Sequence, residues 1–279
     1  MLADVLPYLV CPHCSDGLDQ VGNTLRCANR HSFDIARQGY VSLLRAATAF
    51  TGDTPAMVEA RAAFLGAGHY APIERALATV QPGPGCVVDV GAGIGHYLAR
   101  VLDARPDRVG IALDAAKPAL RRAAKHARVG AVLADAWQPL PIRTGSVGLA
   151  LNVFAPRNPA ELHRVLHPEG RLVVVAPTGH HLAALVSTVD MVTVAADKRE
   201  QVAARLAPGF EPETEVVCEF ELVLSHRDAA ALVGMGPTAF HADADTIAAR
   251  VAVLPEPVAV TASVIVSSFR PVPSPPADR

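Results

Sequence analysis

Cys11, Cys14, Cys27 and His31 follow a C-x2-C-x12-C-x3-H pattern, and thiolates and imidazole are the ligands zinc prefers. The first pair forms a knuckle that points two sulfurs at a common point, and Cys27 with His31 forms the second. The twelve residues between Cys14 and Cys27 suffice for a hairpin that brings the knuckles together, with Gly17, Gly22 and Asn23 as turn positions. Four protein ligands leave no open position, so the metal expected here is structural. His13, inside the first knuckle, is the rival ligand and is expected to face solvent. The other two cysteines, Cys86 and Cys218, fall in strand-like runs and read as packing residues.

A second constellation lies where Val87-Val88-Asp89-Val90 runs into Gly91-Ala92-Gly93-Ile94-Gly95. Glycines placed after an apolar strand let the backbone approach a ligand closely at the first crossover of an α/β sheet. Asp89 closes the strand before the loop. Asp114 closes the next one, Gly110-Ile111-Ala112-Leu113-Asp114, where an acid can take both hydroxyls of a ribose. Asp135-Ala136 closes the third strand, where an adenine edge would lie. Dinucleotide enzymes carry such loops too, but this one continues as Gly95-His96-Tyr97 and gives a pyrophosphate site no support.

These groups need a frame, and the apolar pattern supplies one. Strands are expected at 86–90, 109–113, 131–133, 147–153 and 171–176, with helices at 96–103, 118–127 and 159–166 between them. Buried strands alternating with helices imply a parallel sheet covered on both faces. Two long alternating strands, 215–224 and 257–269, flank a helical insertion at 227–254 and would complete a seven-stranded sheet as an antiparallel edge. Thr54-Pro55 reads as the cap and first residue of a helix over 56–65, and a second helix is expected at 72–80. The organisation expected is a zinc unit at 1–46, a linker with bridging helices at 47–83, a cofactor domain at 84–270 and a disordered proline-rich tail at 271–279.

Of the 279 residues 51% are hydrophobic and 19% charged, which suits a large folded core and excludes wholesale disorder. The net charge is −2, so any polyanion-binding surface must be a local patch. One candidate is Lys117, Arg121, Arg122, Lys125, His126 and Arg128, which also reads as an ordinary solvated helix face. No apolar run reaches membrane-span length, and Asp4 and Pro7 interrupt the N-terminus where a signal peptide would be apolar. The expected location is the cytoplasm, without a membrane partner, and the cysteine cluster suits a reducing compartment.

Residues 84–177 resemble the class I, Rossmann-like, S-adenosylmethionine-dependent methyltransferases. Gly91–Gly95 match their first motif, Asp114 their ribose acid and Asp135-Ala136 their adenine-proximal position, while His167-Pro168-Glu169-Gly170 resembles the turn before their fifth strand. The chain as a whole resembles the RlmA-type 23S rRNA (guanine-N1)-methyltransferases. That resemblance is carried by Cys-Pro-His-Cys (11–14), Cys27-x3-His31-Ser-Phe-Asp, Gly39-Tyr-Val-Ser-Leu-Leu and the segment from Ala60-Arg61 to Gly68-His69-Tyr70. Phe154-Ala155-Pro156, Pro177-x3-His181-Leu182 and Met235-x-Pro237-x-Ala239-Phe240 complete it.

The resemblance implies methyl transfer from S-adenosylmethionine to N1 of a loop guanosine in a domain II hairpin of 23S rRNA. It leaves two branches, at positions 748 and 745; the Ala, Arg and Pro bias of a GC-rich genome favours 748, and the 748 branch includes macrolide self-resistance enzymes. It also implies a homodimer with zinc units flanking an RNA cleft, and Tyr70 and His181 as cofactor contacts. Guanine N1 carries a proton, so a methyltransferase of this kind must orient the base and let that proton depart. Asn152 and Phe154 end the fourth strand at the rim where the methyl group would sit: Asn152 is a hydrogen-bonding candidate and Phe154 a stacking one. His181 follows the fifth strand on the same rim, with His180 beside it, and base catalysis is a second role open to it. Arg61 and His69 are candidates for the same wall. Two alternatives stand beside this reading: a zinc-stapled small-molecule methyltransferase of natural-product metabolism, and a non-enzymatic zinc-dependent RNA binder.

Overall fold

The structure is a computed structural model that describes residues 2–46, 52–189 and 198–273. A short helix, α1 (Leu2–Val5), and a 3-10 turn lead into strands β1 (Asp19–Val21), β2 (Thr24–Arg26) and β3 (Ser32–Asp34), which pair antiparallel in that order. Gly22, with φ +61°, makes the β1–β2 turn that the spacing of the knuckles requires. The next strand, β4 (Tyr40–Ser42), leaves this small sheet and pairs in parallel with residues 131–133 of a larger one.

Helices α2 (Pro55–Gly66) and α3 (Ala71–Thr79) follow, and Thr54 caps α2 by accepting the Met57 N–H. Then come β5 (Cys86–Val90), α4 (His96–Asp103), β6 (Gly110–Asp114), α5 (Lys117–Ala123), β7 (Val129–Leu133), β8 (Val147–Val153), α6 (Pro159–Val165) and β9 (Leu166–Pro177). The chain continues through α7 (Ala183–Val189), α8 (Lys198–Leu206), β10 (Phe210–Leu224), α9 (His226–Gly234), α10 (Ala244–Val251) and β11 (Val258–Pro271). The large sheet runs β10-β11-β9-β8-β5-β6-β7-β4, parallel throughout except that β11 is antiparallel to both neighbours. Strand order reverses between β5 and β8, so the carboxyl ends of these two strands open the crevice in which α/β sheets bind ligands.

Alternate residues of each central strand enter opposite cores. Val87, Ala112, Ala131, Leu149 and Val173 pack with α3, α4, α7, α9 and α10. Val88, Ile111, Val132, Ala150 and Leu172 pack with α1, α6, α8 and the zinc unit. The zinc unit therefore shares a core with the sheet instead of hanging from it. Gly130 shows how closely: a Cβ there would fall 2.3 Å from the Val5 side chain.

Several expectations are revised. The sheet has eight strands, not seven, because Tyr40–Ser42 is added at the β7 edge. The insertion at 227–254 is broken into α9, a 3-10 turn at Pro237–Phe240 and α10, since Gly234, Gly236 and Pro237 interrupt helical hydrogen bonding. Helices α7 and α8 were not anticipated. Half of the basic run at 117–128 is engaged: Arg122 pairs with Glu59, His126 lies 3.3 Å from Asp103, and Arg128 donates to the carbonyls of Leu102, Arg105 and Arg108, while Lys117, Arg121 and Lys125 are exposed. The expected tail begins inside β11, and residues 47–51 of the linker and 274–279 of the tail lie outside the described residues. Among the described residues no helix is long and apolar enough to cross a membrane.

Candidate active site and metal centre

The two knuckles meet. Cys14 Sγ lies 3.6 Å from Cys27 Sγ, and His31 Nδ1 lies 3.4 Å from Cys11 Sγ and 3.3 Å from Cys27 Sγ. All four ligand atoms fall within 4.8 Å of one another. Zn–S bonds of about 2.3 Å in a tetrahedron set sulfurs about 3.8 Å apart, so this spacing fits one zinc ion closed on all sides. His13 is exposed and stacks on Phe33 at 5.9 Å, outside the cluster, which settles the rival ligand. Cys11 and Cys27 are buried among Leu9, Leu25 and Ile35 in the core shared with β5–β7. The Val10 N–H donates to Pro141 O, and the Arg143 N–H donates to Tyr8 O. These bonds stitch the first knuckle to the loop before β8.

At the crevice between β5 and β8 lies a cavity of ≈ 430 Å³ lined by Asp89, Gly91–Ile94, Asp114, Asp135, Ala136 and Tyr70. Gly91 holds φ +79°, and a Cβ on it would sit 2.4 Å from the Ala155 Cβ. The loop can pass beneath the 154–156 segment only as glycine. Gly95, also at positive φ, caps α4 against Ala123. Asp114 holds the loop: its carboxylate accepts the Gly93 N–H and the Ala116 N–H, both at 2.7 Å. Asp135 accepts the Trp137 N–H at 2.9 Å.

Charge in this cavity is lopsided. Asp53, Asp89, Asp114 and Asp135 all line it, against Arg61 and His96. Arg61 is bound to Asp53 through Nε and Nη2 at 3.0 and 2.8 Å, and His96 faces Glu74 at 2.8 Å. Asp89 is buried and its Oδ1 has no partner among the described residues. Burial first, then the neighbouring Asp114, push its pKa up to about 8. Burial likewise raises Asp114. Such a site disfavours a pyrophosphate and favours a cation. S-adenosylmethionine, with its sulfonium and ammonium charges, ribose hydroxyls and flat apolar base, fits these residues: the orphaned Asp89 oxygen, the glycine cradle, Asp114, and Ala134 and Ala136 beside Leu113.

A second cavity of ≈ 740 Å³ shares the wall made by Arg61, Tyr70, Trp137, Phe154–Pro156 and Met235. Its remaining lining includes Arg157, His181, Arg205 and Phe240. Phe154 takes φ +52°, a strained value for a bulky residue, and turns its ring toward His181 and Tyr70, with centroids 6.0 and 6.3 Å apart. Tyr70 is buried, packs edge-on to Phe64, and its hydroxyl lies 3.5 Å from His181 Nε2. The Ser263 N–H donates to His181 Nδ1, which puts the proton of the neutral ring on Nε2, facing Tyr70. Burial lowers the His181 pKa to about 4, so the ring is neutral at pH 7 and positions groups better than it takes protons.

Asn152 does not stand where it was expected. It is fully buried and lines neither cavity. Its Nδ2 donates to Val90 O and Pro156 O, and its Oδ1 accepts from Arg157 Nε at 2.9 Å. With its hydrogen-bonding atoms engaged it clamps the 154–157 turn and has nothing to offer a cofactor or base. His69 lies 3.7 Å from Asp228 and also lines neither cavity. Trp137, Arg157 and Arg205 were not singled out from sequence, and Phe240 entered only through the family resemblance, without a role. The single tryptophan of the chain, two residues after Asp135, was the one available signal.

A family model described as RlmA, N-terminal, matches residues 9–48. Over 280 residues the chain is 47% identical to the Streptomyces fradiae 23S rRNA (guanine(748)-N(1))-methyltransferase, covering 98% of this chain and 100% of that one. The chain belongs to the 23S rRNA (guanine-N1)-methyltransferase family. A family relative from Micromonospora griseorubida is also 47% identical, over 295 residues, with 98% and 100% coverage. Among solved structures, a complex between a Haloferax volcanii methyltransferase activator and a methyltransferase aligns with TM-score 0.53 and 16% identity over 80% of this chain and 99% of that one. That likeness concerns the fold. The family assignment accounts for the zinc ribbon and the S-adenosylmethionine-binding sheet occurring in one chain.

Proposed function

We propose that this protein transfers a methyl group from S-adenosylmethionine to N1 of guanosine 748, in a domain II hairpin loop of 23S rRNA. The observation that carries this reading is the reversal of charge across the shared wall: carboxylates on the cofactor side, arginines and aromatic rings on the other. A cationic cofactor and an anionic, base-bearing substrate would be drawn to opposite sides of Phe154. The choice of position 748 rests on the name of the Streptomyces fradiae relative, which matches along the full chain.

Bound S-adenosylmethionine supplies an electrophilic methyl group on sulfur. The chain's task is to bring guanine N1 in line with it and let the N1 proton leave to water. Trp137, Phe154 and Phe240 are 47%, 39% and 46% exposed, and their accessible rings offer faces for an unstacked loop base. Neutral His181, with Tyr70 behind it, holds the floor of the substrate side. Arg157 and Arg205 on that side favour a nucleotide over a neutral natural product.

The zinc unit, residues 1–46, serves in this reading to recognise the hairpin. The working form is a cytoplasmic homodimer, and the methyl mark protects the ribosome against macrolides. Mass mapping of rRNA from cells with and without the protein tests the reaction: one added methyl at guanosine 748 is expected. An unmodified 23S rRNA, with turnover on a small aromatic acceptor instead, refutes it. Macrolide susceptibility of the same cells tests the protection, and light scattering the dimer.

A further inference from the structure

We infer that Arg157 and Arg205 form a seat for the phosphodiester of the nucleotide whose base enters the second cavity. This rests on the reading of that cavity as an RNA site.

Both arginines line the cavity. Arg157 follows the Phe154 turn and is 8% exposed, a rare depth for an arginine without an acid beside it. Two sides of its guanidinium are anchored: Nε donates to Asn152 Oδ1 at 2.9 Å, and Nη2 reaches Ala155 O at 3.4 Å. Nη1 has no acceptor among the described residues. Arg205, on the last turn of α8, makes no hydrogen bond or ion pair among them. The two are close enough to act on each other: burial first, then the Arg205 charge, lower the Arg157 pKa. Among the described residues Asp53 is the one carboxylate lining this cavity, and Arg61 engages it.

Converging cations without a counter-charge are unfavourable in the free protein, and the arrangement is offset when an anion lies between them. A phosphodiester suits the fork of guanidinium N–H groups, and here the fork stands beside aromatic rings on which the attached base can stack. The anchoring by Asn152 gives that residue its role: it fixes Arg157, and with it the distance from phosphate to base.

The test measures affinity for a hairpin RNA as a function of salt, with Arg205→Gln as the main variant because that side chain is exposed. The expected result is roughly tenfold or more loss of RNA affinity at moderate salt, the worth of a hydrogen bond to a charged group. The slope of log affinity against log salt should become shallower by about 0.7, one phosphate on a single strand. KM for RNA should rise more than kcat falls, with S-adenosylmethionine affinity unchanged. A hairpin carrying a neutral methylphosphonate beside the target guanosine should cost the wild type the same loss and cost Arg205→Gln little more. Arg157→Lys, which keeps the charge and loses the fork, should weaken RNA binding while nearly keeping the slope. If the wild type methylates the hairpin while Arg205→Gln keeps its slope and the two losses add, the phosphate seat is overturned and the functional reading stands. If the wild type modifies neither hairpin nor 23S rRNA, both fall.

Discussion

Replacing Asp89 with asparagine should remove the pH dependence of cofactor binding. Asp89 is buried, its Oδ1 is unpartnered, and its pKa is raised to about 8. A sulfonium-bearing ligand stabilises the ionised carboxylate, so binding in its presence expels the proton. Below pH 8 the free protein must surrender that proton first, and apparent affinity rises with pH. With a pKa of about 8, roughly 1% of the free protein is ionised at pH 6 and half at pH 8, so affinity should climb about fiftyfold, or about 2.3 kcal/mol, over that interval. The sign for stability is opposite. Because the folded-state pKa is raised, the native state holds a proton that the unfolded chain has lost between about pH 4 and pH 8. Stability of the free protein therefore falls as pH rises through that window, by up to about 1.4 kcal/mol per unit. Isothermal titration of S-adenosylmethionine from pH 6 to 8, in buffers of different ionisation enthalpy, reads both affinity and proton release. Wild-type binding near pH 6.5 should release close to one proton from the protein, and Asp89→Asn should release none and show a flat profile. S-adenosylhomocysteine, which lacks the sulfonium charge, should show a weaker slope. A wild-type affinity independent of pH, or an equal slope in Asp89→Asn, would refute the reasoning.

Other outcomes follow from the same geometry. Asp114→Ala removes the acceptor for the Gly93 and Ala116 N–H groups as well as the proposed ribose contact. It should abolish measurable cofactor binding by calorimetry and lower stability by about 1–3 kcal/mol in urea unfolding, without releasing zinc. Cys11→Ala should lose the metal, read by a chromogenic chelator. Because Cys11 shares a core with β5–β7, it should also lower the melting temperature of the cofactor domain, and two independent unfolding transitions would contradict this. Trp137→Ala should raise KM for RNA with S-adenosylmethionine affinity changed by less than threefold, the expected loss being about 1–3 kcal/mol of stacking. Equal losses for both ligands would place Trp137 in the cofactor site instead.

Much of the cofactor side was readable because its signals are local. Cys86–Val90, His96–Asp103 and Val147–Val153 were delimited from apolar runs and glycines alone, and Asp114 needed only its place at a strand end. The zinc ligands were readable for the same reason, since their spacing is itself the geometry. The substrate side was readable only at Phe154 and His181 on the rim and at the shared wall of Arg61 and Tyr70. Its walls come from α2, the loop after β7, the turn after β8, α8 and the 3-10 turn at Pro237–Phe240, and no single stretch carries a pattern. Asn152 was misplaced because a polar residue at a strand end reads as a ligand contact until its partners are seen. Strand β4 was assigned to the zinc unit because it follows that unit in sequence, whereas its pairing is decided by a strand far downstream.

That pairing orders events during synthesis. Tyr40 and its partner Ala131 stand ninety-one residues apart in the chain (131 minus 40). At about 5–20 residues per second, the nascent zinc unit exists for roughly 5–18 s before the strand that receives it is made. Through that interval β4 has an unpaired edge, and Val5, Leu9 and Val41 lack the core they later share with β7. Metal captured at Cys11, Cys14, Cys27 and His31 can hold the unit together while it waits. Zinc scarcity should then be felt first as poor yield of the newly made chain.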